Sequence, residues 1–137
     1  MTKKKLLLEH LNNLGINKND NILIYSKLSS FGIVDKNFTK LILQCLYNKI
    51  GSKGSIAMPL YTFERKKNHV YDKRKIYENP MTGLLNKEFF KNKKILRSNC
   101  PIHSHIGIGP NVDFFNISDP HTSFGGKSDF YYFHKKN

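Results

Sequence analysis

A chain of 137 residues suits one domain, and a compact fold of that length buries about two-thirds of its unfolded surface. Its 39% hydrophobic content argues against disorder, its two cysteines make no disulfide framework, and no apolar run is long enough to span a bilayer. The formal charge of +13 points to nucleic acid, a membrane surface or an anionic ligand, yet the excess is nearly all Lys, with guanidinium only at Arg65, Arg74 and Arg97. A Lys/Asn/Ile bias is also what compositional drift spreads over a solvated surface, so charge alone selects no partner.

The N-terminus, "MTKKKLLLEHLNNLG", starts basic, but Glu9, His10, Asn12 and Asn13 interrupt any apolar core. It reads as no secretory signal, and the expectation is a soluble, cytoplasmic protein with no membrane contact. Leu6, Leu7, Leu8, Leu11 and Leu14 recur at helical spacing, with Thr2 as cap and Gly15 as stop. "NILIYS" (21–26) is a short strand, followed by the small-residue turn "KLSSFGIV". Phe38, Leu41, Ile42, Cys45, Leu46 and Ile50 mark one face of a second helix, with Asn37 as cap and Gly51 as stop. Cys45 lies on that stripe and reads as core.

"GSIAMP" (54–59) is a second strand, which makes a βαβ unit and implies a parallel pair. From Tyr61 to Pro80 the period dissolves into a charged, aromatic stretch, expected to be a mobile basic loop. "MTGLLNKEFFKN" offers Leu84, Leu85, Phe89 and Phe90 to one face of a short helix. "KKILRS" and "SHIGIG" look like strands, Pro110 suits the first turn of a helix through Phe115, and "FYYFHKKN" is an aromatic end. The fold class is α/β: a layered sheet with flanking helices.

The densest polar chemistry is "RSNCPIHSHIGIGP" (97–110). Cys100, His103 and His105 would make three metal ligands, with His121 a conceivable fourth, but their spacing is not that of a structural zinc site. A cysteine nucleophile would need an oriented base within hydrogen-bond reach. The bland alternative is a polar loop and a partly buried strand. The turn "YSKLSSFG" (25–32) is more telling. Hydroxyls and backbone amides at the carboxyl edge of a parallel pair suit an anion, with Lys27 adding charge; a ligand-free Ser-rich turn is the alternative. In the loop 61–77, tyrosines interleaved with Lys and Arg could stack on bases, so a basic nucleic-acid-binding module is the competing function.

Four segments together resemble the aminoglycoside N(3)-acetyltransferases. "ILIYSKLSSFG" is similar to their V-x-V-H-S-S-L-S-S-x-G, and "GSIAMPLYTFE" to G-T-L-V-M-P-T-F-T. "NPMTGLLNKEFFKNKKILRSNCPIHSHIGIGP" resembles P-S-x-M-G-x-L-x-E-x-F-R-x-x-P-G-x-x-R-S-x-H-P-x-H-S-x-A-A-x-G-P, and "FGGKSDF" resembles F-G-x-x-S-P-F. Tyr25 stands where the family has His, Lys27 where it has Ser, Cys100 where it usually has His, and His105 where it usually has a small apolar residue.

The resemblance implies the N-terminal, CoA-binding half of that acetyltransferase fold (not a GNAT fold), forming one partial domain over 1–137. It implies acetyl-CoA as co-substrate, no metal, and an amine of an aminoglycoside or related amino sugar as acceptor. The expected CoA-binding residues are Ser26, Lys27, Leu28, Ser29, Ser30, Arg97, His103 and Ser104. The resemblance supplies the catalytic His and its acidic partner from a later segment, beyond Asn137. On that expectation this chain holds no catalytic residue, is weak or inactive alone, and has a missing C-terminal half as a partner. Its positive charge would repel a polycationic substrate, which favours an amino sugar or nucleotide sugar.

Overall fold

The computed structural model describes residues 2–32, 35–63, 70–77 and 83–136. Helix α1 (Lys3–Asn13) begins where Thr2 accepts a hydrogen bond from the Lys5 amide, and the chain leaves it through Gly15 at φ +76°. No residue of α1 is fully buried; its apolar side leans on α2 (Lys36–Ile50), which carries Leu43, Cys45, Leu46 and Ile50 into the core. The cap of α2 is Asp35 rather than Asn37: its carboxylate accepts from the Phe38 amide at 2.7 Å, and Asn37 is exposed. Both residue types cap well, and only Asp35 sits where the backbone is still extended.

Between these helices runs β1 (Asn21–Leu23), parallel to β2 (Ser55–Pro59) with Ile22 opposite Ile56, as the βαβ reading requires. Regular pairing stops three residues earlier than the expected strand; only the Ile24 amide, bonded to Ala57 O at 2.9 Å, prolongs it. The short helix α3 (Leu84–Phe89) buries Leu85 and Phe89 as expected, but Leu84 faces solvent and Asn86 is buried in its place, donating to the Pro59 carbonyl. Strands β3 (Leu96–Arg97) and β4 (His105–Ile108) pair antiparallel, and β4 also runs antiparallel to β2. The sheet order is β1-β2-β4-β3.

One apolar cluster gathers the core of α2 with Ile56, Met58, Leu85, Phe89 and Ile106; a second joins Ala57, Val112, Phe114 and Phe115. The second includes a 3-10 segment, Pro110–Asn116, where an ordinary helix was expected. Its close approach depends on Gly107, because a Cβ there would come within 2.9 Å of Phe115 and Val112. The "aromatic end" is a helix, α4 (Asp129–Lys136), laid against this cluster through Tyr132 and Phe133. Ser128 starts it, its hydroxyl accepting from the Tyr131 amide at 3.2 Å. Among the described residues, no helix is long and apolar enough to cross a membrane.

Of the segment expected to be a mobile basic loop, residues 64–69 and 78–80 lie outside the described residues, among them Arg65, Lys66 and Lys67. The part that is described touches the body. Tyr71 donates to Ser98 O at 3.3 Å, Lys73 to Asn99 Oδ1 at 2.8 Å, and the Tyr71 and Tyr77 rings stack on each other beside the Arg97 guanidinium. Those two rings, half-buried and already faced by a cation, offer bases no stacking platform of the kind the nucleic-acid alternative needs.

Candidate functional site

The carboxyl end of β2 continues past its last paired residue. The Leu60 amide bonds Ser104 O at 2.8 Å and the Thr62 amide bonds Ile102 O at 2.9 Å, so 60–62 runs alongside 102–104. This brings the Tyr61 ring edge-on to His103 and His105, at 5.1 and 5.6 Å between centroids. Tyr25, just beyond β1, reaches the same place. Its hydroxyl lies 2.8 Å from Tyr61 Oη and 3.3 Å from His105 Nε2. On the other side of the imidazole, Nδ1 is 3.0 Å from Asp129 Oδ2, at the first residue of α4.

Asp129, His105, Tyr25 and Tyr61 therefore form one hydrogen-bonded row. His105 is wholly buried, boxed by Phe130 and Phe133, whereas Tyr25 is 54% exposed. With a neutral imidazole facing an ionised carboxylate, Nδ1 donates to Asp129 and Nε2 accepts from the Tyr25 hydroxyl. Asp129 Oδ1 is buried without a hydrogen-bond partner. The Tyr61 phenol is held well above its ordinary range, chiefly by burial and then by its bond to Tyr25. His103 is shifted the other way, its pKa lowered by burial and by the neighbouring His105.

The residues expected to bind CoA fall into two groups. Ser26 to Ser30 form a turn beside Tyr25, with a 3-10 segment over Leu28–Phe31. Lys27, Ser29 and Ser30 are exposed, Leu28 is buried, and Ser26 Oγ is buried with no partner. Arg97 and Ser104 instead serve the frame. The buried Arg97 guanidinium donates to Ser104 Oγ at 3.0 Å, Leu60 O at 2.9 Å and Thr62 Oγ1 at 3.1 Å, and also to Lys75 O. Ser104 Oγ itself donates to Leu60 O at 2.6 Å.

His103 is half-buried, its Nδ1 2.8 Å from Ser123 Oγ, and its ring meets Phe63 and Phe124. Cys100 is buried beside the same Ser123 at 3.6 Å, so thiol and imidazole share a serine rather than forming a nucleophile–base pair. Among the described residues, no three His, Cys, Asp or Glu side chains are arranged to hold a metal ion. A separate open hollow, lined by Tyr47, Ile56, Leu96 and Ile108, lies at the other end of the sheet, away from this row.

His105 was visible in the sequence as the histidine of the expected strand "SHIGIG", two residues after His103 in the loop; Asp129 was not singled out. Its signal was present: an acidic residue directly after Ser128, in the first turn of a helix.

At its strand ends the mixed α/β sheet gathers a hydroxyl-rich turn and a buried imidazole–carboxylate pair. The sequence model of the aminoglycoside 3-N-acetyltransferase family matches residues 23–137, and the chain belongs to that family. Solved structures agree on the fold. YokD from Bacillus subtilis superposes with a TM-score of 0.78 at 21% identity, covering 91% of this chain and 58% of its own. AAC-VIa bound to sisomicin gives 0.79 at 17% identity, covering 93% and 54%. AAC-IIIb with CoASH gives 0.76 at 18%, covering 93% and 53%. The chain thus spans little more than half the length of these proteins. No curated protein sequence matches it.

Proposed function

We propose that this chain takes part in acetyl-CoA-dependent N-acetylation of an amine on an aminoglycoside or related amino sugar, and that it supplies the CoA side of the site. The carrying observation is the family match over 23–137, which includes the turn after β1. The turn suits the ligand's chemistry. A pyrophosphate takes hydroxyls, backbone amides and a cation, and here Lys27, Ser29 and Ser30 are exposed beside an unpartnered Ser26 Oγ. The solved complexes of AAC-IIIb with CoASH and AAC-VIa with sisomicin support the same two ligands here.

We assign Arg97 and Ser104 to holding strand ends, which leaves Ser26, Lys27, Ser29, Ser30, the backbone at Leu28, and His103 as the CoA contacts. The nucleophile must be a neutral amine, because an ammonium has no lone pair for the thioester carbonyl. The resemblance takes the main catalytic His and its carboxylate from a segment these 137 residues do not contain, so transfer by the chain alone is slow or absent. The test is acetyl transfer from acetyl-CoA to an aminoglycoside and to glucosamine by the purified chain. The expected result is CoA binding with little turnover; rapid turnover would put the catalytic residues inside this chain, against the proposal.

A further inference from the structure

The row that ends at Tyr25 is unused by the reading above, and its construction is that of an acid–base device. A buried imidazole normally needs one partner per nitrogen; here one partner is a carboxylate and the other a hydroxyl facing solvent. A carboxylate behind an imidazole fixes its tautomer and stabilises the imidazolium that forms when the far nitrogen takes a proton. Asp129 is well suited, since its second oxygen has no competing donor. Both ends of the row also depart from the family motifs quoted above, Tyr25 standing opposite His and Asp129 opposite Pro.

We propose that Asp129, His105 and Tyr25 form a proton relay whose outlet is the Tyr25 hydroxyl, and that it takes a proton from an amine docked over Tyr25. The balance is simple. The ammonium N–H passes its proton to Tyr25 Oη while the Tyr25 proton moves to His105 Nε2. The amine leaves neutral, Tyr25 is unchanged, and His105 becomes an imidazolium against the Asp129 carboxylate. Tyr61 supports the step by donating to Tyr25 Oη, at 2.8 Å, and its raised pKa keeps it a donor.

The exposed rims of Phe63 and Phe124, on either side of His103, give the outlet an apolar margin. That combination fits an amino sugar, whose C–H face packs on aromatic rings while its amine meets the hydroxyl. The titratable groups around His105 are Tyr25, Tyr61, His103 and Asp129, with Lys73 acting on Asp129.

The amine as ligand rests on the acetyltransferase reading; the relay does not, and its test uses neither CoA nor amine. N-acetylimidazole acylates tyrosine hydroxyls, and labelling of Tyr25 in the whole chain is followed by mass spectrometry against free N-acetyltyrosinamide. A base behind the hydroxyl should make Tyr25 react about tenfold faster near neutral pH, with a rate that falls as an imidazole protonates. A phenol alone would follow its own titration near about pH 10. His105→Gln should bring the rate down to that of the free amide, and Asp129→Asn should lower it by a smaller factor.

If His105→Gln does not fold, the wild-type pH profile still decides. A Tyr25 rate equal to the free amide's, following phenol ionisation, overturns the relay. Glucosamine should slow labelling of Tyr25 but not of the free amide in the same tube; no protection overturns the amine as its ligand and leaves the relay standing.

Discussion

Arg97 shows how a residue that reads as a ligand contact can be spent on architecture. Its guanidinium joins the strand extension at Leu60 and Thr62 to Ser104 and to Lys75, and it lies 5.1 Å over the Tyr71 ring. Removing it takes the guanidinium's hydrogen bonds from the buried Ser104 and Thr62 hydroxyls and one of two donors from Leu60 O. Arg97→Ala is expected to cost about 3 kcal/mol, read from urea unfolding, and Arg97→Lys to recover little because an ammonium cannot fork. Loss of CoA affinity without loss of stability would contradict that role.

His103 carries a pH signature at the same scale. Its folded pKa is lowered by burial and by His105, so the unfolded chain binds the proton more readily. Its contribution is therefore complete above the ordinary histidine value of about 6.5 and is lost as pH falls below that toward the lowered folded value. Thermal melts across that window should show stability dropping with acidity, and His103→Gln should flatten the drop. A slope that His103→Gln leaves intact would assign it to another group.

At the scale of elements, caps decide what periodicity cannot. Helix α2 was legible from its apolar stripe, yet its start was not, because Asp35 and Asn37 are both good caps two residues apart. Asp35→Ala should destabilise the chain by about 1 kcal/mol and Asn37→Ala by almost nothing, in parallel melts followed by circular dichroism. Equal effects would refute the assigned cap.

Helix α4 went unread for a different reason. "FYYFHKK" is aromatic on nearly every side, so no narrow apolar stripe stands out, and only the Ser128–Asp129 start gave it away. Missing α4 also hid the carboxylate partner of His105, since that contact spans 24 residues. The parallel β1–β2 pair, by contrast, followed directly from strand–helix–strand order.

For the whole molecule, local pattern and family motif told different parts of the story. The motifs located the turn at Ser26–Ser30, which follows β1, and the strand at 105–108, which lies inside the sheet between β2 and β3. What they could not supply was the use of each side chain, because burial and partners arise only after packing. Arg97 and His105 are the clear cases: the matching residue turned to the frame, and the departing one joined a row of proton donors and acceptors. At this scale the charge of +13 accords with the proposal, since CoA is an anion and Lys27 stands exposed at the proposed pyrophosphate turn.

The most direct measurement is a calorimetric titration of CoA into the purified chain, repeated with Lys27→Glu and Ser30→Ala. The account predicts binding by the wild type, weakened about tenfold by Lys27→Glu and less by Ser30→Ala, with the melting temperature unchanged in both. No binding by the folded wild-type chain, or an affinity indifferent to Lys27→Glu, would contradict it.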